Sequence, residues 1–201
     1  MRLSHFTTQY RTGGARSKFG VSVDQLMAAK STIENLGIKV VGLHIHAGSG
    51  ILESDNWSGN ALMMASLRSN FPHLKFLDLG GGLGVPYRLH EQPLEMKLVE
   101  QSLVHFKQNV MSQGLELWLE PGRFFVAESG VILARVTQLK EKPGKRFVGI
   151  NTGMNSLIRP ALYDAYHHIV NISRMEQHTQ EDSQLYDVVG PICETGDVLG
   201  E

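Results

Sequence analysis

The residues best suited to chemistry lie in three short segments, each directly after an apolar stretch. Gly80 to Gly82 are consecutive glycines, whose backbone can take positive φ and present N–H groups to an anion such as phosphate. Ser49 lies between two further glycines and adds a hydroxyl. Glu120 can accept a bond from a protonated ring nitrogen, and Arg123 suits phosphate or carboxylate through its fixed fork. Singly, each is more typical of a turn or a surface ion pair, but together they predict a site for a phosphate-bearing ring.

His44 and His46 are two residues apart, so on a strand both side chains point to the same face. This spacing suits metal ligation, although a core histidine followed by a loop histidine would give the same pattern. No Cys, Asp or Glu stands nearby in the same pattern, as a metal site would usually require. We therefore predict that the site holds no metal.

The segments that carry this chemistry follow the strands of a repeated β–α pattern. Ser22 and Gln25 form a capping box that predicts the start of a helix. Parallel strands joined by helices predict an α/β fold, a partial (β/α)8 barrel of the TIM type, because a complete one needs about 250 residues. The predicted strands are Ile38 to Ile45, Leu74 to Leu79 and Leu115 to Leu119, and the later predicted helices are 54–70 and Pro93 to Met111.

The sequence pattern changes after residue 127. Strands are predicted at 131–139, 146–150, 166–172 and 185–189, without long amphipathic helices between them. The first two are predicted to flank a turn at Lys142 to Gly144. We therefore expect two domains, a partial barrel over 1–127 and a partial, mainly β domain over 128–201. The chain stops directly after a motif, so we expect it to be a piece of a longer protein.

Composition excludes several classes of protein. The net charge of −1 gives no basic field for nucleic acid or an anionic membrane, and no apolar run approaches the roughly 20 residues that span a bilayer. The single cysteine, Cys193, excludes an internal disulfide and fits a reducing compartment. We expect a cytoplasmic protein that binds neither nucleic acid nor membrane.

Six segments, in the same order, resemble the fold-type III decarboxylases that use pyridoxal phosphate, and within them the branch that acts on meso-diaminopimelate. The segment that begins at Arg159 distinguishes this branch from ornithine decarboxylases best. The matching segments are Ser17 to Gly20, Gly42 to Ser49, Asp78 to Gly82, Glu120 to Arg123, Gly153 to His167 and Cys193 to Asp197.

The resemblance implies that the cofactor is pyridoxal phosphate. His46 would stack on the pyridine ring, and Ser49 with Gly80 to Gly82 would hold the phosphate. Glu120 would pair with the ring nitrogen and keep it protonated, which makes the ring an electron sink. Arg123 would lie between phosphate and substrate. His46 and Glu120 are therefore expected to be catalytic as well as cofactor-binding.

The resemblance also implies substrate contacts and a partner. Arg159 and Tyr163, together with Arg123, would bind an amino-acid substrate, the first two at its distal polar end. Cys193 would act in protonation near the α-carbon, and Glu194 would contact the substrate. In this family the last two residues serve the partner subunit's site, which implies a homodimer with shared active sites.

Lys18 and Asp197 resemble an ion pair across that dimer interface. The lysine that holds the cofactor in this family lies on the first barrel strand, and no lysine here lies in that motif. The expected reaction of the full-length parent is decarboxylation of meso-diaminopimelate to L-lysine and CO2. The alternatives are a decarboxylase of ornithine, arginine or carboxynorspermidine, a non-catalytic relative that binds a protein partner, and a fusion with a domain such as aspartate kinase.

Overall fold

The computed structural model describes residues 2–3, 18–109, 114–175 and 184–201. The chain forms two compact units. The first contains Met1–Pro86 and Gln92–Gly130, and the second contains Tyr87–Glu91 and Val131–Glu201. The main division therefore falls three residues after the expected boundary near 128, and a short loop segment inside the first half belongs to the second unit.

The first unit is a parallel four-stranded sheet with helices between its strands. The strands are β1 (Arg2–Leu3), β2 (Gly42–Ile45), β3 (Phe76–Asp78) and β4 (Glu116–Trp118), hydrogen-bonded in that order. The helices are α1 (Val23–Asn35), α2 (Asn56–Ser66), α3 (Met96–Asn109) and the short α4 (Gly122–Val126). The predicted β–α alternation is confirmed. The last two residues of the predicted third helix, Val110 and Met111, lie outside the described residues.

Local sequence explains where these helices begin and end. The Ser22 hydroxyl accepts a bond from the Gln25 amide at 3.2 Å, and the Gln25 side chain accepts the Ser22 amide at 2.9 Å, so the predicted capping box is present. Gly37, at φ +68°, follows the end of α1. The second helix is shorter than predicted, because α2 stops at Ser66 and a separate 3₁₀ turn, Arg68–Asn70, follows it.

The hydrophobic core of the first unit lies between the parallel sheet and its helices. Buried apolar side chains from two strands, β2 and β3, and from three helices meet there. Burial of this kind contributes about 25 cal/mol for each Å² removed from water. The largest side chains with less than 2% exposure are Trp57, Leu26, Leu43, Ile45, Ile51, Met64, Leu77, Leu79 and Val99.

The second unit is a mixed β-sheet with one short helix. Its strands are β5 (Val136–Lys142), β6 (Lys145–Ile150), β7 (Asp187–Val189) and β8 (Val198–Gly200), in that order, and its helix is α5 (Arg159–Tyr163). β5 and β6 form an antiparallel hairpin around the predicted turn, where Gly144 has φ +79°. β6 pairs with β7 in parallel, and β7 pairs with β8 antiparallel.

The predicted strand at 166–172 is wrong. This segment lies outside both sheets, and its last residue begins a 3₁₀ turn, Ile172–Arg174. The side chains of Tyr166 and His167 pack instead on the Tyr87–Glu91 segment. Within the described part of the chain, no helix combines the length and apolar character needed to cross a membrane.

Candidate active site

The carboxyl ends of β2, β3 and β4 bring together residues that are far apart in sequence. Parallel pairing aligns His44 on β2 with Asp78 on β3, and Asp78 with Trp118 on β4. Glu120 follows two residues later. Barrel enzymes build their sites at this end of the sheet. We call His44, His46, Asp78 and Glu120 the sheet-end cluster.

The glycine turn after β3 is shaped by close backbone approach. A Cβ on Gly81 would lie 2.3 Å from the Glu120 carbonyl oxygen, and one on Gly82 would lie 2.3 Å from the Gly48 carbonyl oxygen. The Glu120 amide donates to the Gly80 carbonyl at 2.9 Å, and the Ile51 amide donates to the Gly82 carbonyl at 2.8 Å. The loops after three neighbouring strands are therefore bonded to one another at the glycines.

Two of the three N–H groups predicted to hold phosphate have protein partners. The Gly80 amide donates to Asp78 Oδ1 at 2.9 Å, and the Gly81 amide donates to His46 Nδ1 at 3.2 Å. A backbone amide only donates, so His46 Nδ1 carries no proton and the imidazole has a fixed tautomer and orientation. The phosphate prediction consequently depends on Gly82 and on Ser49, which is exposed.

Glu120 is fixed by a histidine that the sequence did not assign. His44 Nε2 lies 3.0 Å from Glu120 Oε2, while 56% of the Glu120 side chain remains exposed. The ligand atoms of His44, Asp78 and Glu120 lie within 4.8 Å of one another. Sheet pairing therefore brings two carboxylates to His44, which the sequence pattern around the histidines did not show. The absence of a metal stays a prediction.

The sheet-end cluster has the donor set that a protonated heterocyclic ring needs. The exposed carboxylate of Glu120 can accept a ring N–H, and the half-buried His46 offers a flat face held in one orientation. The residues present thus fit pyridoxal phosphate in kind. Arg123 lies on α4, three residues after Glu120, and is half-buried.

In the second unit, α5 places Arg159 and Tyr163 one helical turn apart, on the same face. Arg159 Nη1 lies 3.1 Å from both Tyr87 Oη and His167 Nε2. Tyr163 is 51% exposed. We call Tyr87, Arg159 and His167 the arginine cluster. Its two aromatic members were missed by sequence reasoning, because only the folded chain brings residue 87 to residues 159 and 167.

Cys193 and Glu194 lie in the loop before β8, and both are exposed. Asp197, the residue directly before β8, is only 3% exposed. Its carboxylate accepts the Met154 amide at 2.6 Å and the Ile192 amide at 2.8 Å. An ion pair with Lys18 of a partner stays a prediction, and it would have to reach this buried, already bonded carboxylate.

Comparisons with known proteins agree on one family. The sequence profile described as the pyridoxal binding domain of pyridoxal-dependent decarboxylase matches residues 2–127. The diaminopimelate decarboxylase of Haemophilus influenzae is 39% identical over 205 residues, which cover 98% of this chain and 48% of that protein. The Aquifex aeolicus enzyme of the same name is 36% identical over 195 residues, which cover 94% of this chain and 44% of that protein. The chain thus spans about half the length of these relatives.

Solved structures give the same result. Diaminopimelate decarboxylase from Helicobacter pylori, complexed with L-lysine, superposes with a TM-score of 0.79 at 31% identity, covering 98% of this chain and 50% of that one. The lysine/ornithine decarboxylase of Vibrio vulnificus, complexed with cadaverine, has a TM-score of 0.73 at 22% identity, covering 99% and 50%. The predicted barrel-plus-β-domain fold is therefore confirmed, as a part of that fold.

Proposed function

We propose, since this chain belongs to the pyridoxal-dependent decarboxylase family, that the full-length protein converts meso-diaminopimelate to L-lysine and CO2. The observation that carries the proposal is the Glu120 carboxylate, held by His44 at 3.0 Å at the carboxyl end of the parallel sheet. Curated relatives at 33–39% identity share the name diaminopimelate decarboxylase, which favours this substrate over other amino acids.

The sheet-end cluster would hold pyridoxal phosphate. When bound, that cofactor accepts the electron pair that the departing CO2 leaves behind. Glu120 would accept the ring N–H and keep the proton on that nitrogen, while His46 would cover one face of the ring. Ser49 and Gly82, with Arg123, would supply positive or polar contacts to the phosphate. The lysine that binds this cofactor covalently in the family is not assigned to any residue of this chain.

The remaining predicted residues would act on the substrate. Arg159 and Tyr163 would bind its distal end, and Glu194 would contact it directly. Cys193 would donate a proton at the α-carbon after CO2 leaves. Because Cys193 and Glu194 are both exposed, they are accessible to the active site of a second copy. We therefore propose a cytoplasmic homodimer with shared sites.

The test uses the full-length protein loaded with pyridoxal phosphate. CO2 release is measured with meso-diaminopimelate, ornithine and arginine as separate substrates. We expect release from meso-diaminopimelate alone. Release from ornithine or arginine would instead assign a sister decarboxylase, and no release from any of them would support the non-catalytic reading.

A substitution at Glu120 tests the site itself. Glu120→Gln keeps the shape but removes the charge that stabilises a protonated ring nitrogen, so we expect kcat to fall by about 100-fold or more. The absorbance spectrum of the bound cofactor should change in the same variant. Glu116→Gln is the matched control, because Glu116 lies on β4 and its carboxylate binds the Trp118 indole at 2.8 Å. Near-normal turnover by Glu120→Gln would remove Glu120 from the mechanism.

A further inference from the structure

Two aromatic side chains accept hydrogen bonds from one nitrogen of the Arg159 guanidinium, Nη1. Nη1 donates to Tyr87 Oη and to His167 Nε2, both at 3.1 Å. A guanidinium can only donate, so His167 must be neutral at Nε2, with its ring proton on Nδ1. The two bonds use Nη1 alone. The Nη2 and Nε donors lie on the other edge of the same plane and can form a bidentate pair with a carboxylate.

The two acceptors are themselves fixed. The rings of Tyr87 and His167 meet edge to face, with centroids 5.6 Å apart and planes at 85°. The Arg159 guanidinium also lies 5.2 Å from the centroid of the Tyr87 ring. Each member of the arginine cluster thus touches both others. Three mutual contacts restrict rotation of the guanidinium plane more than a single bond would.

Hydrogen bonds also fix the backbone at Tyr87. The Glu91 carboxylate accepts hydrogen bonds from the Tyr87 amide at 2.6 Å and the Arg88 amide at 3.1 Å. The Glu91 amide in turn donates to the Arg88 carbonyl at 3.0 Å. Arg88 lies over the ring of Tyr166 at 4.1 Å. The Tyr87–Glu91 turn is therefore anchored to the segment that carries His167 at two adjacent points.

We propose that Tyr87 and His167 are positioning residues that set substrate specificity by holding Arg159 in the orientation that binds a distal carboxylate. This inference rests on the proposed function, in which Arg159 contacts the far end of the amino-acid substrate. The substrate class is an amino acid with a second carboxylate at its distal end. A ligand of similar length without a distal carboxylate has no group that this edge of the Arg159 guanidinium can bind, so its affinity should not depend on Tyr87 or His167.

The test compares meso-diaminopimelate with cadaverine, the diamine that has both of its amino groups but no carboxylate. In the full-length, cofactor-loaded protein, Tyr87→Phe removes one acceptor and His167→Leu removes the other. Each should raise the KM for meso-diaminopimelate about tenfold, as expected for a bond to a charged group, while kcat changes by less than about threefold. The inhibition constant of cadaverine should stay unchanged. His167→Gln, whose amide oxygen can accept the same bond, should restore most of the loss.

Tyr166→Phe is the matched control. It removes a hydroxyl from the same segment, one that lies 3.2 Å from His168 Nδ1 and makes no bond to Arg159 in the structure. It should leave both constants at wild-type values. If His167→Leu fails to fold, Tyr87→Phe and His167→Gln decide the matter.

The outcomes separate this inference from the proposed function. An active wild type whose Tyr87→Phe and His167→Leu variants keep the wild-type KM would overturn the inference alone. Equal losses for meso-diaminopimelate and cadaverine would also overturn it, because they indicate general structural damage. If the wild type releases no CO2, calorimetry measures the binding constants of meso-diaminopimelate and of cadaverine directly. A selective loss of meso-diaminopimelate binding would then support the inference while the proposed function fails.

Discussion

The two sheets have four strands each but differ in what covers them. In β2 every residue is buried or half-buried, whereas all seven residues of β5 are exposed. Within the described residues, every member of the hydrophobic core cluster comes from the first unit. Among the described residues of the second unit, Leu199 is the one buried apolar side chain. Side-chain hydrogen bonds of Asp197 and Arg159 add to the pairing of its strands. The first unit should therefore be sensitive to added volume, and the second to the loss of single polar groups.

The largest effect is expected from adding volume at the glycine turn. Gly82 has φ +95°, and a Cβ there would lie 2.3 Å from the Gly48 carbonyl oxygen. Backbone must move to accept it, so Gly82→Ala should lower the free energy of unfolding by about 3 kcal/mol. The fluorescence of the buried Trp57 during urea unfolding measures this change.

Gly59→Ala is the control for that substitution. Gly59 lies inside α2, and its added Cβ would meet nothing within 4 Å. Alanine is the better helix former, so this variant should raise the free energy of unfolding by up to about 1 kcal/mol. If Gly82→Ala proved as stable as Gly59→Ala, the close approach of the two loops would be wrong.

The next effect concerns the polar contacts of the second unit. Asp197→Asn replaces one carboxylate oxygen with an NH2 group that faces a backbone amide. Because hydrogen bonds to a buried charged group are worth about 1.5–3 kcal/mol, we expect a loss of about 2 kcal/mol. The loss should be confined to the second unit.

Hydrogen exchange measures the effect of Asp197→Asn residue by residue. Protection should fall at the amides of Met154 and Ile192, the two donors to the carboxylate, and should not change at Leu43 or Leu77 in the first unit. Glu194→Gln, an exposed acid in the same loop, is the matched control. Equal loss of protection in both units would mean that they unfold together, and the contrast between them would not hold.

Features set by neighbouring residues could be predicted from the sequence, and features set by sheet register could not. The Ser22 cap and the turn at Gly144 depend on residues within one turn, and both are present. The bond between His44 and Glu120 joins residues 76 apart and depends on the register of three strands. The strand predicted at 166–172 is wrong because the pattern of apolar residues there does not show that Tyr166 and His167 pack on the 87–91 turn.

A smaller effect on thermal stability is expected in acid from Glu91, in the Tyr87–Glu91 turn of the second unit. Hydrogen bonds from the Tyr87 and Arg88 amides lower the pKa of Glu91 below its ordinary value of 4.5. A lowered pKa means that this carboxylate stabilises the fold above pH 4.5 and that the stabilisation is lost as the pH falls through the lowered value. The difference in Tm between wild type and Glu91→Gln should therefore be constant near neutral pH and shrink in acid. A difference that grows in acid would contradict the assignment.

The smallest effect is expected on the open face of the second sheet. Lys145 on β6 bonds to Asp187 on β7 at 2.8 Å, and this hydrogen bond raises the pKa of Lys145 above its ordinary value of 10.5. The group is exposed to water, which screens the pair, so only a slight stabilisation is expected. With a raised pKa, the stabilisation is fully present below pH 10.5 and is lost as the pH rises through the raised value. The Tm difference between wild type and Lys145→Gln should thus be small and level up to about pH 10, and should then vanish in stronger alkali. A large difference at neutral pH would mean that single surface pairs stabilise this sheet as strongly as the buried Asp197 does.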